Sequence, residues 1–167
     1  MQFQETKLQG VLLRRLDAYK DYRGLYIQMF DSLDLPHLDF VQDDISISHG
    51  NVLRGIHGDK VTWKLITCLY GRFYLVVLNC DETSPQYGQW QSWVLTDRNR
   101  LQILVPPKFG NGHLVQGSKA FFHYKQTTHY DRESQFTIKW DDPRFNIYWP
   151  TKNPILSRRD EYENIAH

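Results

Sequence analysis

An arginine and a histidine lie three residues apart in the strand-like run 51–59, which contains Arg54 and His57. Histidine can move protons near neutral pH, and arginine binds anions through a rigid fork of donors. Residues three apart point to opposite faces of a regular strand. Arg54 and His57 can therefore contact the same ligand only if the strand bends or bulges. Gly55 and Gly58 permit one. The run is therefore a candidate for general-base chemistry beside an anion.

A histidine base needs partners, and the chain offers a choice for each. Asp59 and Asp160 are carboxylates that can set its tautomer, and Tyr124 and Tyr130 are candidates for a neutral acid. Lys64 can stabilise an enolate formed beside a carbonyl. Together these groups suit proton abstraction next to a ketone. When each residue is considered alone, a strand tyrosine is more often part of the core, and a strand lysine more often faces solvent.

The histidine spacing does not favour metal catalysis. Metal-binding barrels of the kind predicted below usually carry His-x-His followed by a carboxylate, and the chain has no His-x-His. His57 and His113, each next to glycine at a strand boundary, would be a poor ligand set on their own. We therefore expect no metal.

Composition limits the class of protein. The chain has 167 residues and 41% hydrophobic content, which predicts one domain over residues 1–167. A formal net charge of +1 gives no electrostatic reason to expect nucleic acid or an anionic membrane as partner. The sequence contains no apolar run of membrane-spanning length and no signal-peptide core, so we expect a cytoplasmic protein. Cys68 and Cys80 are expected to be buried free thiols rather than a disulfide.

Strand signals recur along the chain with turn signals between them. The clearest runs are 10–16, 24–30, 40–48, 61–70, 72–80, 90–95, 101–105, 113–116, 120–125, 136–140 and 146–149. Gly71, between two long runs, predicts a tight hairpin. Only residues 33–38 and the segment after Ser157 are candidates for helix. The pattern predicts an all-β jelly-roll barrel with N-terminal strands and a short C-terminal helix, a fold that holds one small ligand at its mouth.

Ordered motifs along nearly the whole chain resemble the dTDP-4-dehydrorhamnose 3,5-epimerase family of cupin-type nucleotide-sugar epimerases. The matching segments are Asp21 to Gly24, Phe40 to Ser46, Val52 to His57, Lys64-Leu65, Ser84 to Trp90, Val105 to His113, Tyr124-Lys125 with Tyr130, Trp140 to Pro143, Trp149-Pro150, and Leu156 to Asp160. The resemblance implies a cofactor-independent isomerase that epimerises C3 and C5 of a nucleotide-linked 4-keto sugar, whose own ketone takes up the electron pair.

The resemblance also implies roles for individual residues. His57 would remove the proton alpha to the C4 ketone, with Asp160 as its orienting partner. Tyr124 would return a proton on the opposite face, and Lys64 with His113 would stabilise the enolate. The remaining substrate-binding residues would be Arg54 and Arg23 on the diphosphate, Tyr130 on the sugar or nucleotide, and Gln28, Gln42, Asp44 and Arg159. Family members are dimers that exchange N-terminal strands, so a homodimer with shared nucleotide sites is expected.

Three departures from the family pattern suggest a different substrate, and one is Gly-Asn-Gly-His around His113 in place of the family's Gly-Phe-Ala-His. Gln28 and Asp44 stand where thymidine-nucleotide members often carry Glu and Asn, and a carboxylate at Asp44 can accept two hydrogen bonds from guanine. The His-Gly-Asp sequence resembles epimerases of GDP-4-keto-heptoses in capsule biosynthesis, and the small Gly58 is expected to leave room for a larger sugar. The first hypothesis is therefore a GDP-linked 4-keto heptose or 6-deoxy-heptose.

Other functions remain open at this point. A dTDP-4-keto-6-deoxyhexose is the alternative substrate, and a mono-epimerase acting at C3 or C5 alone would use the same residues. A non-catalytic nucleotide-sugar-binding cupin is a further alternative, although it is expected to lose the base or the acid. A sugar 3,4-ketoisomerase would show a different histidine pattern, which the sequence lacks.

Overall fold

The computed structural model describes residues 2–162, and its regular structure there is almost entirely β. The strands are β1 (Gln4–Glu5), β2 (Leu12–Arg15), β3 (Ala18–Asp21), β4 (Gly24–Ile27), β5 (Gln42–His49), β6 (Leu53–Gly58), β7 (Lys64–Asn79), β8 (Trp90–Thr96), β9 (Leu101–Val105), β10 (Phe109–Gln126) and β11 (Phe136–Thr137). A 3₁₀ turn covers Ser32–Asp34, and one helix, α1, covers Arg158–Tyr162.

Two long strands, β7 and β10, hold the barrel together. They pair antiparallel with each other, and each passes from one half of the barrel to the other. In one half the order is β1-β2-β9-β7-β10-β5, and in the other it is β8-β7-β10-β6-β11. The β3–β4 hairpin forms a separate two-stranded sheet. The predicted all-β barrel with N-terminal strands and a short C-terminal helix is confirmed.

Glycine corners, rather than hairpins, divide the two long strands. Gly71 has φ +78° and Gly117 has φ +84°, yet the chain continues as strand on both sides of each. The predicted hairpin at Gly71 is therefore wrong: residues 64–67 pair with β9 and 72–78 pair with β8. A glycine with positive φ occurs both in tight turns and where a strand bends from one sheet into another. The presence of a glycine therefore does not distinguish a hairpin from such a corner.

Alternate residues of β7 pack on opposite faces, as the period of a strand requires. Phe73 and Leu75 belong to the core between the two halves. Tyr74 and Val76 belong to a second core on the outer face, which Trp149 and its neighbours cover. The predicted strand at 146–149 is therefore a covering segment without sheet pairing.

Capping side chains mark the two short helical segments. Asp31 accepts the N–H of Leu33 at the start of the 3₁₀ turn, and Ser157 Oγ accepts the N–H of Asp160 at 3.2 Å. The structure thus confirms a helix after Ser157, but residues 33–38 form a single short turn. None of the helices within residues 2–162 has the length and apolar character that a membrane crossing requires. Cys68 and Cys80 are free thiols.

Candidate active site

A cavity of about 330 Å³ opens inside the barrel, between β5, β6, β7, β10 and α1. It brings together most of the residues predicted from the sequence: Arg54, His57, Lys64, His113, Tyr124, Tyr130, Arg159 and Asp160. Its wall is completed by Ser46, Asn111, Phe122, Gln126, Gln135 and Ser157. A volume of this order suits a small ligand held among a few convergent polar groups.

His57 and Asp160 form a hydrogen-bonded pair in this cavity. His57 Nε2 lies 2.5 Å from Asp160 Oδ1, and the carboxylate is 3% exposed. Burial raises the pKa of Asp160, but the hydrogen bond and charge of His57 outweigh it, and the pKa lies below its ordinary value. An ionised carboxylate only accepts, so Nε2 carries a hydrogen, and in the neutral form of the ring the lone pair is on Nδ1. Of the two candidate partners, the structure places Asp160 on the histidine.

A bulge in β6 turns Arg54 and His57 toward the same cavity. His57 pairs with Asn111 and Arg54 with His113, so three steps on β6 oppose two steps on β10. Gly55 takes φ +116°, and a Cβ there would lie 2.6 Å from Asn111 O. The bend expected from the odd spacing is present, and it requires a glycine.

Lys64 and His113 supply one cation and one neutral ring to the same space. Lys64 is 8% exposed, and burial lowers its pKa to about 8 although the charge of Asp59 opposes the change. Burial, with the charge of Arg54, lowers the pKa of His113 to about 3. Its ring stacks on Phe122 at 4.0 Å, and its Nε2 has no hydrogen-bond partner among residues 2–162. His113 is thus neutral with a polar atom available to a ligand.

Tyr124 enters the cavity from the second half of β10. Burial raises its pKa to about 12, and the charge of Asp44 on the neighbouring strand acts in the same direction. The phenol therefore stays protonated at neutral pH and can donate. Tyr130 is 47% exposed and lies at the rim, so Tyr124 fits a buried acid better.

Gln42 and Asp44 adjoin the lining residues Gln126 and Tyr130 but do not themselves line the cavity. Asp44 Oδ2 accepts from Gln42 Nε2 at 2.7 Å and from Gln126 Nε2 at 2.9 Å. Gln42 Oε1 accepts the N–H of Tyr130 at 2.8 Å. A bidentate contact with guanine would need both oxygens of Asp44. The geometry therefore weighs against the guanine contact inferred from the sequence.

Arg23 and Gln28 do not reach the cavity of their own chain. Arg23 donates to Asp21 at 2.6 Å in the β3–β4 hairpin, and its side chain is 75% exposed. Gln28 borders a separate groove near β2. Their prediction as substrate-binding residues is therefore not met within one protomer, because the hairpin carries them away from the barrel mouth.

Gly58 does not enlarge the sugar site. A Cβ at Gly58 would lie 2.3 Å from Phe109 O and 2.5 Å from Phe136 Cζ. The position next to His57 on a strand faces the other side of the sheet, where Phe136 fills the space. The expectation of extra room for a larger sugar is wrong, and the reason is a ring supplied from a distant part of the sequence.

The sequence could have indicated some of the wall residues that it did not single out. Ser46 and Gln126 lie two residues from Asp44 and Tyr124, and therefore share their face of the sheet. Gln135 ends an irregular segment, and no periodicity marks it.

Comparison with known proteins finds relatives over nearly the whole chain. The family model described as dTDP-4-dehydrorhamnose 3,5-epimerase matches residues 5–166. The dTDP-4-dehydrorhamnose 3,5-epimerase of Escherichia coli K12 is 35% identical over 165 residues, covering 93% of this chain and 89% of the relative.

Two solved structures have the same fold. A 3,5-epimerase from Legionella pneumophila in complex with dTDP-4-keto-L-rhamnose has a TM-score of 0.90 and 32% identity, over 95% of this chain and 89% of that one. An enzyme from Bacillus anthracis with TDP and pyrophosphate bound has a TM-score of 0.91 and 28% identity, over 96% of both chains. Both are 3,5-epimerases of the cupin type predicted here.

Proposed function

The chain belongs to the dTDP-4-dehydrorhamnose 3,5-epimerase family, and on that premise we propose that it inverts C3 and C5 of a dTDP-linked 4-keto-6-deoxyhexose. The observation that carries this proposal is one cavity that holds a histidine–carboxylate pair, a buried cation and a protonated tyrosine. No other group is required, because the ketone of the substrate accepts the electron pair.

The reaction follows from the protonation states of the cavity. His57 Nδ1 takes the proton from the carbon alpha to the C4 ketone, and the electrons of the broken C–H bond pass into an enolate. The Lys64 cation and the neutral His113 ring stabilise the enolate oxygen. Tyr124 then gives its proton to the opposite face of that carbon, which reforms the C–H bond with inverted configuration. His57 then releases its extra proton to solvent, and Tyr124 takes a proton from solvent, which returns both side chains to their starting state.

Arg54 and Arg159 serve the diphosphate in this proposal. Arg54 is exposed at the rim, and its Nε donates to Ser48 Oγ at 2.9 Å, which holds the guanidinium in place. Arg159 Nε donates to Thr137 Oγ1 at 2.7 Å. A guanidinium held through its Nε can still donate its other N–H groups to phosphate oxygens.

The dTDP alternative is better supported than a GDP-linked heptose. The relatives reported above are named for dTDP sugars, and one is bound to dTDP-4-keto-L-rhamnose. Asp44, on which the guanine hypothesis rested, already accepts two amide hydrogen bonds through one oxygen. A role in capsule synthesis has no support from these relatives.

The proposal includes a homodimer. The β3–β4 hairpin exposes Tyr19, Tyr22 and Tyr26, and the outer face of β5 exposes Ile45 and Ile47. Within the described residues β5 pairs only with β10, so one edge of it is open. Burial of these side chains against a second copy would bring the partner's Arg23 and Gln28 toward the cavity, where the family pattern places them.

Incubation with dTDP-4-keto-6-deoxyglucose in deuterium oxide tests the reaction. Deuterium at both C3 and C5, with the rhamno product after reduction, supports a 3,5-epimerase. Exchange at one carbon would instead support a mono-epimerase, and nucleotide binding without exchange would support a binding protein. A parallel titration with dTDP and GDP shows which nucleotide base the protein prefers. Tighter binding of GDP would contradict the proposal.

A further inference from the structure

Gln135 lines the cavity and is 4% exposed, but the reaction above gives it no role. Its Nε2 donates to Asp59 Oδ2 at 2.9 Å, and Asp59 is also 4% exposed. The other oxygen of Asp59 accepts the backbone N–H groups of Val61 at 2.9 Å and Thr62 at 2.7 Å. The backbone of residues 61 and 62 thus holds the carboxylate of Asp59 in place, and that carboxylate holds the amide of Gln135.

The ionised carboxylate decides which end of the amide faces it. Burial raises the pKa of Asp59, but hydrogen bonds from Thr62 and Val61 and the charge of Lys64 bring it below its ordinary value. Since a carboxylate only accepts, the NH₂ end of Gln135 must face Asp59. The carbonyl oxygen of Gln135 is therefore turned away from Asp59.

An acceptor in this position would complement the cations that line the cavity. Arg54, Lys64 and Arg159 are permanent or buried cations that only donate. The carbonyl oxygen of Asn111 already lies 3.4 Å from Lys64 Nζ. A sugar hydroxyl needs an acceptor for its hydrogen as well as donors for its oxygen, and Gln135 can supply that acceptor.

We infer that Gln135 binds a hydroxyl group of the sugar ring through its carbonyl oxygen, and that Asp59 is the positioning residue that holds it for this contact. The inference rests on the proposed function and deepens it, because it names a residue that selects the sugar by its hydroxyl groups. A buried acceptor discriminates against a sugar without the matching hydroxyl, since the acceptor then stays unpaired.

The test compares Gln135→Leu with the unaltered chain on three substrates: dTDP-4-keto-6-deoxyglucose and its 2-deoxy and 3-deoxy analogues. Exchange of solvent deuterium into the sugar is followed by mass spectrometry. On the parent substrate, loss of one neutral hydrogen bond should raise KM by about 3- to 12-fold with kcat nearly unchanged. On the analogue that lacks the bound hydroxyl, the substitution should change KM less than about 2-fold.

Asp59→Asn is the second variant. The NH₂ group of the introduced asparagine can donate to Gln135, so the amide of Gln135 is free to rotate by 180° and turn its carbonyl oxygen toward residue 59. It should reduce the discrimination between parent and analogue, as Gln135→Leu does. Asp142→Asn is the matched control: Asp142 is likewise 4% exposed and accepts the N–H of Arg144 at 3.0 Å, but does not line the cavity. The control should keep the discrimination of the unaltered chain.

Equal KM changes on all three substrates would overturn the contact. If Gln135→Leu does not fold, as judged by thermal melting, unchanged discrimination in Asp59→Asn overturns it as well. Failure of the unaltered chain to exchange any of the three substrates would count against the proposed function, and is distinguishable from both results.

Discussion

Tyr124 and Asp44 lie directly opposite each other on antiparallel strands β10 and β5. The carboxylate adds to the effect of burial, and together they raise the pKa of Tyr124 to about 12. An anion placed beside a phenol disfavours the phenolate, so the tyrosine keeps the proton that an acid must deliver. Asp44 is thus better explained as the partner of an acid than as a reader of the nucleotide base.

Tyr124→Phe should separate proton exchange from inversion. Without the phenol, His57 can still remove the proton and return deuterium to the same face, so deuterium should enter the sugar while inversion falls by about 100-fold or more. Nuclear magnetic resonance of the recovered sugar measures both. Tyr130→Phe is the control at the rim and should affect inversion less. Normal inversion by Tyr124→Phe would assign the acid to another residue.

His57→Asn should abolish exchange at both carbons, because asparagine offers no base. A positioned general base contributes about 10²- to 10⁴-fold, so a loss of that size is expected. Binding of dTDP, measured by calorimetry, should remain close to normal since Arg54 and Arg159 are untouched. Exchange at a near-normal rate in this variant would show that His57 is not the base.

Activity should fall as the pH rises through about 8 if Lys64 acts as a cation. Burial lowers the pKa of Lys64 to about 8, so the charge is present below that pH and is lost above it. The alkaline limb of kcat/KM reports this pKa in the free enzyme. Because the charge of Asp59 raises the pKa of Lys64, Asp59→Asn should move the limb to lower pH. If the alkaline limb of kcat/KM is unchanged in Asp59→Asn, Lys64 is not the group whose titration causes it.

Mixed dimers should reveal whether Arg23 serves the partner's site. His57→Asn and Arg23→Ala chains are each expected to be impaired when alone. After unfolding and refolding together, about a quarter of all sites should combine an intact His57 with an intact Arg23 from the other chain. Recovery of activity on mixing supports a shared site. Activity that stays at the average of the two variants would place Arg23 in a structural role.

Local patterns of apolar and polar residues predict the barrel strands. The roles of His57 and Tyr124 follow instead from the resemblance of their motifs to the epimerase family. A glycine indicates a backbone angle and not the path of the chain, so the sequence predicts a hairpin where Gly71 forms a corner. Phe136 beside Gly58 and Gln135 beside Asp59 are contacts between distant segments, which no local pattern records. In the proposed dimer, the place of Arg23 would depend on a second chain, which a single sequence does not describe.

The two strands shared by both halves of the barrel also determine how the protein opens. Since β7 and β10 pair with each other in both halves of the barrel, we expect the two halves to open together. Amide protons of Leu75 in one half and Ile66 in the other should therefore exchange with solvent in a single cooperative event. α1 belongs to the same frame, because it holds Asp160 on His57, whereas the β3–β4 hairpin pairs with no strand of the barrel and is expected to exchange its amide protons independently.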